Sequence, residues 1–146
     1  MFAVSAALLL SGLSVRAEDA LAAGKKFLKE NGTKRGVVTT ASGLQYQVLS
    51  EGSGRYPRPT DTVEVNYRGT LINGQEFDSS YKRKKPLEFP LDAVIKGWTE
   101  GLLLMKEGSA YRFFIPPDLA YGEKGSPPNI GPNETLIFEV RLLAVK

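Results

Sequence analysis

Apolar positions recur at helical spacing between Glu18 and Asn31, where Leu21, Gly24, Phe27 and Leu28 fall near one face of EDALAAGKKFLKEN. Acids lead this stretch and lysines trail it, as the helix dipole favours, and Asn31-Gly32 stops it. The pattern predicts one short helix over 18–31, followed by a linker over 32–42. From residue 43 onward the period falls to two. In TVEVNYRGT (62–70), Val63, Val65 and Tyr67 share one face while Glu64, Asn66 and Arg68 share the other, the mark of a half-buried strand. LQYQVLS (44–50), AYRFFIP (110–116) and TLIFEVRLLAV (135–145) supply further strands, and the last, the longest apolar stretch, is expected at the centre of the sheet. Asn73-Gly74 is a strong hairpin signal, so the chain should return through QEFDSS (75–80). IKGWTEGLLLMKEG (95–108) predicts a single helix closed by Gly108.

These elements describe an α+β domain over 43–146, an antiparallel sheet with one helix laid across a face. All nine prolines fall in linkers or turns, and five of them lie between Pro116 and Pro132. Long loops are expected at 79–93 and 116–133. Loops of that length in a compact domain are usually functional or disordered, and the Leu, Ile, Phe and Tyr within these argue for order. At the front, the apolar run from Phe2 to Leu13 is short for a bilayer span and is followed by Val15-Arg16-Ala17, which reads as a secretory leader over 1–17 cut after Ala17. It lacks the usual positive start, since no Lys or Arg precedes Arg16. The expected location is periplasmic or secreted, with no stable membrane insertion after processing.

Composition narrows the chemistry. The chain of 146 residues carries a formal charge of +3 and no long basic stripe, too weak a balance to argue for nucleic acid. It holds no Cys and no His. Thiol catalysis, His-activated nucleophiles and the usual zinc sites are therefore excluded. The four cations of YKRKKP (81–86) read as a solvated loop, with an acidic partner as the sharper alternative. Ser79 and Ser80 have no base partner visible in the sequence, and a glycosidase-like pairing of Asp78 with Asp118 has no support from spacing.

Several large side chains sit at element ends beside glycine or proline rather than at element centres: Tyr67, Phe77, Leu87, Val94, Ile95, Trp98, Tyr121, Ile130 and Phe138. Read one at a time, each is as well explained by plain packing. Taken in order, VEVNYRGTLINGQEFDSS, VIKGWTEGL, PPDLAYGEKG and ETLIFEVRLL closely resemble the FKBP-type peptidyl-prolyl isomerases, and GKKFLKENGTKRGVVTTASGLQYQVL resembles the lead-in of their bacterial macrophage infectivity potentiator branch. The resemblance implies a sheet half-wrapped around a short helix, with a shallow apolar cleft between them. Carried over by position, the cleft is lined by Tyr67, Phe77, Val94, Ile95, Trp98, Tyr121 and Phe138, with Leu87 and Ile130 as further substrate contacts. Trp98 forms the floor on which a proline ring lies. Tyr67, Asp78 and Tyr121 are the implied catalytic group, and the Ile95 N–H and Tyr121 hydroxyl donate to substrate carbonyls. Asp78 orients Tyr67 or substrate rather than acting as a base. Leu87 replaces an aromatic found in many relatives, and Ser126 stands where some carry His, so the wall is less aromatic here.

The implied activity is isomerisation of X–Pro bonds in exported or unfolded polypeptides, without cofactor or metal. Macrolide ligands of the family are expected in the same cleft. The rival reading is a non-catalytic peptide-holding chaperone on the same fold. The helix over 18–31 is short for dimerisation, so a monomer is expected.

Overall fold

The computed structural model describes residues 2–146, with side chains described from Ala17 onward. The expected leader over 1–17 falls almost wholly outside those described side chains. Helix α1 (Phe2–Asn31) precedes strands β1 (Val37–Thr39), β2 (Gln45–Ser50), β3 (Thr62–Leu71) and β4 (Glu76–Ser79). The chain continues through α2 (Ser80–Arg83), β5 (Leu87–Pro90), α3 (Lys96–Leu102), β6 (Ala110–Ile115) and β7 (Leu136–Val145), with 3-10 turns at Leu91–Ala93 and Pro117–Leu119. Every strand pairing is antiparallel, in the order β1-β2-β6-β7-β3-β4, and β5 pairs with β3. The expected α+β arrangement is present, and β7 lies centrally between β6 and β3 as its apolar length predicts.

Side-chain alternation decides what each face of the sheet meets. On β3, Val63, Val65 and Tyr67 are buried while Glu64 and Asn66 are only half covered. On β6, Phe113 and Ile115 point toward α3, and the intervening Phe114 points the other way and packs on Phe27 of α1. Helices α1 and α3 therefore cover opposite faces. The glycines of α3 explain how closely it sits: a Cβ on Gly97 would meet Ile115 Cγ2 at 2.6 Å, and one on Gly101 would meet Phe113 Cε1 at 2.6 Å. Spaced four apart, they form one bare stripe against β6. That close approach outweighs the helix-propensity cost of about 1 kcal/mol per glycine.

Four expectations change. Helix α1 runs from Phe2 to Asn31 rather than over 18–31 alone. The linker over 32–42 contains β1, whose Val37–Thr39 extend the sheet at β2. The loop over 79–93 contains α2 and β5, the latter pairing Thr62–Val65 of β3 with Pro90–Leu87. Helix α3 ends at Leu102 rather than at Gly108. Beyond it the Leu104 and Met105 N–H groups bond to Gly101 and Leu102 carbonyls at 3.0 and 3.1 Å, a tighter three-residue spacing. The chain then reaches β7, where Gly108 N–H bonds Leu142 O at 2.8 Å and β6 begins. The loop over 116–133 keeps little regular structure beyond its 3-10 turn and a Ser126–Ile130 bridge.

Strand β3 shares one edge between two short partners. β5 covers Thr62–Val65 and β4 covers Arg68–Thr70, which leaves the Tyr67 N–H without a strand acceptor. Ser80, at the start of α2 and fully buried, fills the gap: its hydroxyl accepts from Tyr67 N–H at 2.8 Å and donates to Asn66 Oδ1 at 2.8 Å. A buried backbone donor needs such a partner. This answers what Ser80 does, and the answer is structural.

Candidate functional site

A cleft of about 510 Å³ opens between α3, the inner faces of β3 and β7, and the loops on either side of α3. Its lining includes Tyr67 from β3, Phe77 and Asp78 from β4, Trp98 from α3 and Phe138 from β7. Leu87, Val94, Ile95 and Tyr121 line it as well, and Ala93 joins them. Nine residues expected from the sequence thus meet in one cavity, and the tenth, Ile130, lines a smaller neighbouring hollow of about 260 Å³ that shares Phe77, Asp78 and Tyr121. Ile130 is buried, so its place is behind the loop wall rather than on the main cleft.

Trp98 is only 5% exposed, yet it lines the open cavity, as a floor does. Tyr67 and Phe138 stand edge-on to the indole, each with ring centroids 5.1 Å away and interplanar angles of 82° and 83°. Phe89 packs at 5.4 Å with a 48° tilt, and Phe77 stands perpendicular to Phe138 at 5.4 Å. Such edge-to-face pairs add to the area term and fix ring orientation. The Trp98 Nε1–H is buried and has no acceptor among the described residues. At the start of α3, the Ile95 carbonyl accepts from Trp98 and Thr99 N–H at 3.0 and 3.1 Å, while no acceptor among the described residues receives the Ile95 N–H. The Tyr121 hydroxyl is likewise without a protein partner among the described residues, on a side chain that remains 40% exposed. Burial, and then the nearby Asp78 charge, raise the Tyr121 pKa above that of a free phenol.

The polar edge of the cleft is one connected group. Tyr67 donates its hydroxyl to Asp78 Oδ2, and Arg83 donates to Asp78 Oδ1. Arg83 also donates to the Tyr67 oxygen at 2.7 Å and lies 5.5 Å from that ring's centroid. Asp78 further accepts from the Ser79 N–H at 2.9 Å. Burial, followed by the hydrogen bond to Asp78, pushes the Tyr67 hydroxyl above its ordinary pKa. Asp78 sits at the cleft edge with its side chain 39% exposed, and its partners among the described residues are Tyr67, Arg83 and the Ser79 N–H. Arg83 was concealed in the sequence by its neighbours: Lys82, Lys84 and Lys85 carry the same sign, and nothing distinguishes the one that turns inward. Ala93 gave no signal at all.

Residues 53–143 match the family model described as FKBP-type peptidyl-prolyl cis-trans isomerase, and residues 10–48 match the domain amino terminal to FKBP-type peptidyl-prolyl isomerase. The chain is 57% identical over 122 residues to the peptidyl-prolyl cis-trans isomerase Mip of Coxiella burnetii, covering 84% of this chain and 53% of that protein. With FkpA of Escherichia coli K12 it shares 52% over 130 residues, covering 89% of this chain and 48% of FkpA. The chain thus spans about half the length of these curated relatives. The crystal structure of E. coli FkpA matches with a TM-score of 0.89 at 50% identity, over 94% of this chain and 64% of that one. A peptidyl-prolyl cis-trans isomerase structure from Pseudomonas syringae pv. tomato matches at 0.83 and 40% identity, over 89% of this chain and 96% of that one. The chain belongs to the FKBP-type peptidyl-prolyl cis-trans isomerase family.

Proposed function

We propose that this protein accelerates cis–trans exchange of X–Pro bonds by holding the proline on Trp98 inside the apolar cleft. The observation that carries the reading is the pairing of that greasy floor with two unpaired donors on its walls, the Ile95 N–H and the Tyr121 hydroxyl. Rotation about the peptide bond is opposed by ~18–20 kcal/mol, because the nitrogen lone pair is delocalised into the carbonyl. At the perpendicular geometry that delocalisation is lost and the amide is less polar. An apolar pocket therefore disfavours the planar ground state more than the twisted one. Ile95 and Tyr121 hold the flanking carbonyls as the bond turns. Only binding that differs between the two states raises the rate. No proton is transferred, so the lack of His and Cys costs this mechanism nothing.

Tyr67 and Asp78 shape the polar edge, with Arg83 holding both. Phe77, Leu87, Val94 and Phe138 supply the apolar wall, and Ile130 backs the loop behind Tyr121. The substrates are proline-containing segments of flexible polypeptides, and macrolide ligands of the family compete for the same cleft. The leader-like pattern over 1–17 and the outer-membrane name of a Legionella longbeachae relative support export. No helix among the described residues is long and apolar enough to cross a membrane. The cleft is complete within one chain, so the proposed activity needs no second copy.

An NMR exchange or protease-coupled assay on a short X–Pro peptide tests the reading. Acceleration at micromolar protein, removed by a macrolide, is the expected result. Binding without acceleration replaces the enzyme by the peptide-holding module, and neither binding nor acceleration removes the cleft from function altogether.

A further inference from the structure

The cationic segment that ends α2 and runs on through Lys85 borders the cleft and is only partly used by it. Lys82 pairs with Glu76, and Arg83 is taken up by Asp78 and Tyr67. Lys84 and Lys85 are exposed and pair with no carboxylate among the described residues. Their backbone is fixed all the same. Lys84 takes a left-handed conformation at φ 55° as it closes α2, and its N–H and that of Lys85 bond back to Tyr81 and Ser80 carbonyls at 3.1 and 3.2 Å. Lys85 lines a surface groove of about 670 Å³ with Arg83, Pro86, Leu87, Glu64 and Glu88. Leu87 belongs to both this groove and the proline cleft, so a chain leaving the cleft over Leu87 runs past Lys85. The two acids of the groove are already engaged, because Lys146 Nζ lies 2.9 Å from Glu88 and 3.6 Å from Glu64.

We infer that Lys85, assisted by Lys84, forms a subsite that selects an acidic residue close to the isomerised proline. The inference rests on the cleft being the proline site, and it adds a sequence preference to that reading. A carboxylate carried over Leu87 meets a cation that has no partner of its own and gains attraction without breaking an existing ion pair. A substrate lysine at that point meets like charge. Both lysines are solvated, so the effect is of surface ion-pair size and is screened by salt.

The test uses a peptide series with one proline, in which Glu, Ala or Lys is placed in turn at the two positions before and the two after the X–Pro bond. Affinity is read from the fluorescence of Trp98, the only tryptophan of the chain, so the series is informative even if turnover is absent. At one position, Glu is expected to bind about threefold tighter than Lys at low salt, with Ala between them, on the scale of an exposed ion pair. The preference should vanish in Lys84→Gln/Lys85→Gln, persist in Lys85→Arg, and fade in high salt. No preference at any position, or one that survives the double substitution, overturns the subsite. Peptides that bind with the preference but are not isomerised keep the subsite and remove the enzymatic reading.

Discussion

Trp98 is packed against the rings of Tyr67, Phe89 and Phe138 and still lines the cleft, so its packing role and its ligand role are separable by substitution. In Trp98→Leu the domain loses part of its core, and peptide affinity should fall by about tenfold or more, equivalent to ~1.4 kcal/mol, under conditions where the variant is fully folded. Titration of a proline peptide monitored by NMR checks this; an unchanged affinity takes Trp98 out of the site. Asp78 makes a gentler case. Asparagine offers one acceptor oxygen where Asp78 uses two, so it keeps the bond from Tyr67 or those from Arg83 and the Ser79 N–H, and loses the charge opposite Arg83, in a pair whose carboxylate is more than a third exposed. Turnover by Asp78→Asn should drop about threefold. Complete loss of activity in a folded variant would assign Asp78 a chemical step. At this scale the sequence was informative where side chains were distinctive, as with Trp98, Tyr121 and the aromatic residues flanking them. It was silent where identity was generic, as with Ala93 and Arg83.

The elements were legible wherever one periodicity ran long enough to average out. β3 and β7, each ten residues, show their faces in plain alternation. β1 and β5 do not: three and four residues are too few for a period, and a proline closes β5. Their pairing is decided by the edges that β2 and β3 offer, which is information held elsewhere in the chain. The end of α3 was hidden for another reason, since Leu102 to Met105 are apolar whether they continue a helix or turn inward. What holds α3 in place is its glycine stripe. Adding a methyl at Gly101 drives a Cβ into the Phe113 ring, and neither the ring nor the central sheet behind it has room to give. Gly101→Ala should destabilise the fold by about 1–3 kcal/mol despite the better helix propensity of alanine. Equilibrium urea unfolding measures it. A stabilised variant would mean that α3 sits further from β6 than described.

Charge is felt across the whole molecule. With no histidine to titrate and with Tyr67 and Tyr121 both raised by burial, neither phenol of the cleft changes charge through the neutral range. Turnover should be flat from about pH 6 to pH 9; a bell-shaped profile from the same assay would point to proton transfer. Stability follows the acids instead. The Arg58 N–H, bonded to Asp61 at 2.7 Å, lowers that carboxyl, and bonds from Lys82 and then Arg68 lower Glu76. Their contribution is complete above the unfolded carboxylate pKa of about 4, and is lost as pH falls through the lower folded values. Glu134 works in the opposite sense, raised by burial and relieved by protonation. The melting temperature should therefore hold at neutral pH and decline below about pH 4, with a shallower decline in Asp61→Asn/Glu76→Gln.

Helix α1 is fastened by several kinds of contact at once. Gly24 lies against Thr135 without space for a side chain, Asn31 donates to Gln45 at 2.9 Å, Gln45 donates to the Leu28 carbonyl at 2.7 Å, and Phe27 meets Phe114 at 5.9 Å. The Phe27–Phe114 contact lies on the face of β6 that α3 does not touch, and Gln45 is paired with Phe114 across β2 and β6. A handle placed on α1, whether a bead or another folded unit, would trail behind the sheet and leave the mouth turned outward to passing chains. Capture through the amines of Lys84 and Lys85 would instead set the rim of the groove against the support.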